Sequence, residues 1–230
     1  MRLFDIFKKT IKADSPKTAY QRKKQNESYL KALNIPILEH LPYIEEESDV
    51  RLRSAQEIAE RILVLVYLGF ASEIEDEREN VIAFLKSNSL WEKVSPEEKE
   101  LFEKEVLTEQ EIINIFWRSE AIWMLLWTIC KVDKLKLPTE QIEIEDIVSR
   151  IPELFSDSKA YIENAIIRPT SELLDASDLT YRLHWATRDA SLNNQPMPAN
   201  LILSVIMERH YAINWVTFYG EEWDEIGTDT

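Results

Sequence analysis

The sequence predicts an all-α protein, a single multi-helix globular domain preceded by a basic amphipathic N-terminal helix. Three observations carry that expectation. Apolar residues recur at helical spacing over long segments, capping signals open several of them, and the alternating patterns and glycine turns of strands are nearly missing. Only three glycines occur, Gly69, Gly220 and Gly227, and no Gly/Ser-rich linker divides the 230 residues. A core of this size buries roughly 70–75% of the unfolded chain's surface. The expected division is a basic extension over residues 1–22 and one helical domain over residues 23–230.

Leu3, Phe4, Phe7 and Ile11 share one stripe, so residues 1–12 read as an amphipathic helix. Residues 17–34 read as the next helix, and Pro36 and Pro42 then force residues 35–43 into an extended connection. Ser54 caps a helix through Ala71, in which Ile58, Ile62, Leu65 and Val66 repeat at helical spacing. No element is assigned from there to Ser95. Ser95-Pro96-Glu97-Glu98 is a capping box with proline at the first helical position. Thr108-Glu109-Gln110-Glu111 is another, and it opens the most apolar helix, which ends near Cys130.

Residues 142–151, stopped by Pro152, and residues 157–167 read as shorter helices. Pro169 starts a long one that runs to about Leu192. Residues 193–198 form a loop, Asn200 caps the last helix and Gly220 ends it. Leu203, Ile206, Met207 and Ile213 lie opposite Trp215, so this last helix is apolar nearly all round and reads as central. His40, in the proline-flanked loop, reads as a surface residue.

The formal net charge of −15 is unevenly spread: residues 1–31 hold nine Lys/Arg against three Asp/Glu, and the remainder holds 18 against 39. A body this acidic repels phosphate backbones, which argues against nucleic acid as a partner. The basic start suits weak contact with an anionic membrane surface through residues 1–12, or an acidic partner. The preferred reading is a segment that packs on its own acidic body or frays. The single cysteine, Cys130, excludes an intramolecular disulfide and a Cys-only metal site. Its place in an apolar run reads as a small buried hydrophobe. Residues 62–71 are too few to span a bilayer, and residues 112–130 carry Arg118 and Glu120, so no transmembrane segment is expected. With no secretory leader pattern, a cytoplasmic location is the expectation.

The familiar catalytic signatures are missing. There is no glycine-rich phosphate loop, Gly-x-Ser-x-Gly elbow, His-Glu-x-x-His helix or Cys-x-x-Cys pair. The Glu-x-x-His pairs of a di-metal bundle are missing too. No cofactor and no metal site is expected. What stands out instead is a carboxylate seven residues before a tryptophan on each of three long helices: Glu120 and Trp127, Asp178 and Trp185, Glu208 and Trp215. Seven residues turn a helix through roughly 700°, so each carboxylate shares a stripe with its indole. Glu120 sits among Ile113, Phe116, Trp117, Trp123 and Met124, and Glu208 among Leu201, Val205, Tyr211, Ala212 and Phe218.

A charge on a core-facing stripe is costly unless paired or protonated, so these residues are either structural ion pairs or a site. Arg118, Arg182, Arg188 and Arg209 are the partners at hand, which favours a polar network fixing helix register. Glu208 and His210 lie about 200° apart on their helix and do not readily ligate one ion, whereas His210 shares a face with Asn214. If the cluster is a site, its candidate catalytic residues are Glu120, Asp178, Arg182, His184, Glu208 and His210.

These residues fall within a set of longer motifs. They are Arg51-Leu-Arg-Ser-Ala-Gln-Glu-Ile-Ala-Glu-Arg61, Trp117-Arg-Ser-Glu-Ala121 with Leu-Leu-Trp127, and Arg168-Pro-Thr-Ser-Glu172. Further on come Asp178-Leu-Thr-Tyr-Arg-Leu-His-Trp-Ala186 with Arg188-Asp189, Glu208-Arg-His-Tyr-Ala212 with Asn214-Trp215, and the ending Trp223-Asp-Glu and Thr228-Asp-Thr230. Together they resemble the domain-of-unknown-function family 4272 from about Lys23 onward. The resemblance implies no catalytic role, since the family has no established activity. Two functional expectations follow. The favoured one is an acidic cytosolic interaction or regulatory protein that binds a protein partner. The alternative is a hydrolase or metal-assisted enzyme using the buried Glu/Asp/His/Arg cluster. The oligomeric state stays open.

Overall fold

The computed structural model describes residues 17–230. In chain order their α-helices are α1 (Ala19–Ala32), α2 (Ala55–Glu73), α3 (Arg78–Ser87), α4 (Pro96–Glu103) and α5 (Glu109–Thr128). α6 (Ile144–Val148), α7 (Lys159–Glu163), α8 (Thr170–Leu192) and α9 (Leu203–Val216) follow, and no strand occurs among the described residues. The all-α expectation holds.

Local chemistry sets where helices begin. Thr18, Ser54, Ser95 and Thr108 each accept the N–H of the residue three further on. The side chains of Gln21, Glu57, Glu98 and Glu111 accept the cap N–H in return. The helix over residues 78–87 escaped the sequence reading because no side chain caps it and it follows an acidic run, Glu75–Glu77. α9 lies between α5 and α8, α2 packs on the far side of α5, and α1 packs on the far side of α8. The spatial order is therefore α1, α8, α9, α5, α2, which confirms the last helix as central. Its Met207 nevertheless lies exposed.

Three apolar clusters fill the gaps. Ile58, Ile62, Leu125, Ala212 and Ile213 join α2, α5 and α9. Leu63, Val81, Leu85, Phe102 and Ile115 seat α3 and α4 against α2 and the first half of α5. Leu30, Leu183 and Ile206 join α1, α8 and α9. No helix among the described residues is long and apolar enough to cross a membrane. The expected amphipathic helix over residues 1–12 lies outside the described residues. The expected division after residue 22 falls within α1, where Arg22 is fully buried and donates to Asp175 at 3.0 Å.

Helix ends follow the sequence reading for α8, which closes at Leu192, and within two residues for α2 and α5, whereas α9 closes short of Gly220. Five helices close with a non-glycine residue at positive φ: Asn34 (57°), Ser89 (58°), Cys130 (61°), Asn194 (51°) and Phe218 (54°). In each case the next N–H reaches back to the last turn, as Lys131 does to Leu126 at 2.9 Å and Tyr219 to Asn214 at 2.9 Å. α9 therefore ends at Val216, with Phe218 in the position expected of Gly220. Cys130 is exposed rather than buried, because the left-handed turn rotates it away from the apolar face. Asn200 sits in a one-turn helix (Pro198–Asn200) and caps nothing. The Ile202 N–H instead bonds the Pro138 carbonyl at 2.8 Å and delays the start of α9. The Ile142 N–H is likewise drawn to Glu120, which confines the first short helix to α6.

A left-handed non-glycine residue costs roughly 1–2 kcal/mol, partly offset in glycine by the entropy of its unfolded state. Cys130→Gly is therefore expected to raise stability by about 0.5–1 kcal/mol in urea denaturation. A loss of stability would contradict the helix-end assignment.

Candidate functional site

Glu120 is fully buried, and both its oxygens are engaged. Oε2 accepts from Arg209 Nε at 3.0 Å and lies 2.9 Å from Nη2, while Oε1 accepts the Ile142 N–H at 2.7 Å. Arg209 also donates to the Lys136 carbonyl at 3.0 Å, so the α5–α9 pair fastens the chain between α5 and α6 as well. One residue away on α9, Glu208 meets Arg118 of α5 at 3.1 Å in a more open position. Burial pushes the Glu208 carboxyl up, and nearby Glu120 adds to that while Arg118 opposes it.

Asp178, also fully buried, receives Arg182 Nη2 at 2.6 Å and Nε at 2.9 Å, together with Asn26 Nδ2 at 2.8 Å. Arg182 continues to the Pro42 carbonyl at 3.3 Å. This second centre ties α8 to α1 and to the proline-flanked connection. Arg188, offered by the sequence as a partner, is exposed and forms no ion pair among the described residues.

The third centre joins α8 to α9. His184 and His210 face each other Nδ1 to Nδ1 at 2.9 Å, with the ring planes 79° apart. One ring must donate and the other accept. His184 Nε2 is buried without a partner. An orphaned buried N–H is rarer than an orphaned acceptor, which places the shared proton on His184 Nδ1. Burial lowers His184 to about 4, with Arg188 adding to it, and lowers His210 to about 3, with His184 adding to it.

The six candidates are thus brought to three separate helix contacts rather than to one pocket. Of them only His210 lines one of the five principal cavities. Among the described residues no three of His, Cys, Asp and Glu are grouped to hold a metal ion. Glu120 and Asp178 each accept three donors, two of them from an arginine, so both carboxylates are committed to the helix contacts they make.

A different feature escaped the sequence reading. The stripe around Glu120 was expected to be core throughout, yet Ile113 is 48% and Phe116 45% exposed. The reason is length. α5 spans about 30 Å and α9 about 21 Å, so the first half of α5 extends beyond its central neighbour. There Ile112 and Phe116 form one wall of a groove of about 450 Å³, faced by Leu65 and Phe70 of α2 and by Ile144 and Val148 of α6. Val148 is 57% exposed. Among the described residues the only charged ones lining it are Glu73 and Glu153, and the buried Ser119 hydroxyl at its wall has no hydrogen-bond partner. The sequence signal was three bulky apolar residues, Ile112, Ile113 and Phe116, in the opening turns of a capped helix.

A family described as "Domain of unknown function (DUF4272)" matches residues 22–226. No curated protein and no solved structure matches the chain.

Because the histidines are held neutral, the native state takes up these protons only near pH 4 and 3, whereas an unfolded histidine takes one near 6.5. Stability is therefore fully present above about pH 6.5 and falls on acidification toward 4, by up to ~1.4 kcal/mol per pH unit for each histidine. In urea melts at several pH values, His184→Gln/His210→Gln is expected to flatten this slope by up to two protons. Equal slopes would contradict the paired-imidazole geometry.

Proposed function

The chain belongs to the DUF4272 family, which supplies no activity, and on geometric grounds we propose that it is an acidic interaction protein that docks a basic amphipathic helix of a protein partner. The observation that carries this reading is the apolar groove between α2, α5 and α6, open at Phe116 and Val148 and bordered by carboxylates. A contiguous exposed apolar patch is unusual on a chain with no use for it, and helix-in-groove recognition needs such a wall. Among the described residues its lining holds no Lys or Arg, and the formal net charge is −15, so the complementary partner face is apolar with a basic flank. The unpartnered Ser119 hydroxyl offers a hydrogen bond to whatever enters. The setting is taken as cytoplasmic, where a lone exposed thiol such as Cys130 stays reduced.

The enzymatic alternative draws no support from these contacts, because the carboxylates it would employ each hold an arginine. Nucleic acid remains disfavoured by the acidic body.

A dye-labelled amphipathic peptide of leucine and lysine, about 18 residues long, tests the reading against a scrambled peptide of equal composition. The ordered peptide is expected to bind saturably and more weakly at high salt. Phe116→Asp and Val148→Asp are expected to weaken it at least about tenfold while stability stays within ~0.5 kcal/mol. Binding that survives both substitutions, or that the scrambled peptide equals, would overturn the proposal.

A further inference from the structure

We propose that a second cavity, on the opposite side of α9 from α5, binds a small organic ammonium ion. It has a volume of about 330 Å³ and is lined by Tyr43, Tyr181, Tyr219, Glu45, Asp229 and His210, among others, with no Lys or Arg among the described residues. Three phenol rings around a space with two carboxylates is the chemistry that recognises an organic cation. Ring faces attract the charge without demanding hydrogen bonds, and the carboxylates supply long-range attraction.

The electrostatics of the surroundings agree. Among the described residues no cation pairs with Glu45 or Asp229, while the cations nearby are already matched. Lys23 lies 3.6 Å from Glu27 and donates to the Glu39 and Leu41 carbonyls at 2.7 and 2.6 Å. Arg182 is chelated by Asp178. The ammonium of Lys23 sits 5.0 Å from the Tyr43 ring centre, so one face of that ring already accepts a cation of this type.

His210 forms the floor and is neutral at physiological pH, so it adds no repulsion. The Tyr181 ring packs 5.8 Å from it, which fixes the orientation of the phenol. Burial raises the Tyr181 hydroxyl above its ordinary value; Arg182 opposes this, and Tyr219, Asp178 and Asp229 add to it. The Thr230 hydroxyl, at the same wall, is buried with no hydrogen-bond partner, leaving a polar position unfilled.

Calorimetric titration of the full chain with choline chloride, beside its uncharged isostere 3,3-dimethylbutan-1-ol, separates cation recognition from simple filling of space. Choline is expected to bind saturably and at least about tenfold tighter than the isostere. Glu45→Gln/Asp229→Asn, both exposed positions, is expected to weaken choline about tenfold with an unchanged melting temperature. Tyr219→Leu is expected to weaken it several-fold. Equal affinities for the two compounds, no saturation by about 50 mM, or undiminished binding to the charge-neutralised variant would each overturn the site. The contrast between choline and its isostere on the unsubstituted chain decides the matter even if a variant fails to fold.

Discussion

Placing α9 between α5 and α8 takes Arg209 and His210 out of water, and each is held by a partner on the helix it faces. Arg209 meets Glu120 on one side, and His210 meets His184 on the other. The outer helix α1 is fixed in a similar way, through Asn26 and the Asp178–Arg182 pair. Such pairs add little net stability relative to well-packed apolar residues, because the cost of desolvation nearly cancels the attraction. Their effect is selective. A helix shifted by one turn would leave a charge buried and unpaired, at a cost of several kcal/mol, so the pairs specify one register among many that apolar packing alone would tolerate.

Cationic side chains extend the same logic to the chain's last segment. The Arg53 guanidinium lies 4.2 Å from the Trp215 ring centre and 4.1 Å from that of Phe218, and Arg61 lies 4.8 Å from that of Trp223. Arg53 also donates to the Trp215 carbonyl at 2.9 Å. Of the tryptophans singled out for their spacing, Trp215 is thus a platform for Arg53 and Trp127 for Arg168, at 4.7 Å, contacts worth about 0.5–2 kcal/mol each.

Much of this was legible in the sequence, where the information is local. Ser54, Ser95 and Thr108 mark helix starts because a capping box is complete within four residues. The pairing of Glu120, Asp178 and Glu208 with arginines was legible as a requirement, since a carboxylate on an apolar stripe must be satisfied. The actual partner was not. Arg118, Arg182 and Arg209 were among those named, but Arg188 faces outward, and only tertiary packing decides between them. The ends of α5 and α8 were legible to within two residues, but the end of α9 was not, because the expected signal was Gly220 and the chain turns at Phe218 instead. The groove was hidden for a similar reason. Ile113 and Phe116 look like core until the relative lengths of α5 and α9 are known.

The polar cluster and the open surfaces therefore have different parts. The buried pairs hold α9 in place, and α9 in turn supplies one wall of the tyrosine-lined cavity, while α5 runs past it to expose the groove. The most direct measurement of this account is a double-mutant cycle on Glu120→Gln and Arg209→Gln by urea denaturation. Each single substitution is expected to cost about 3–5 kcal/mol, and the double variant is expected to cost less than their sum by at least about 1 kcal/mol. Additive losses, or a single substitution without effect, would show that the pair does not hold α9 and would contradict the account.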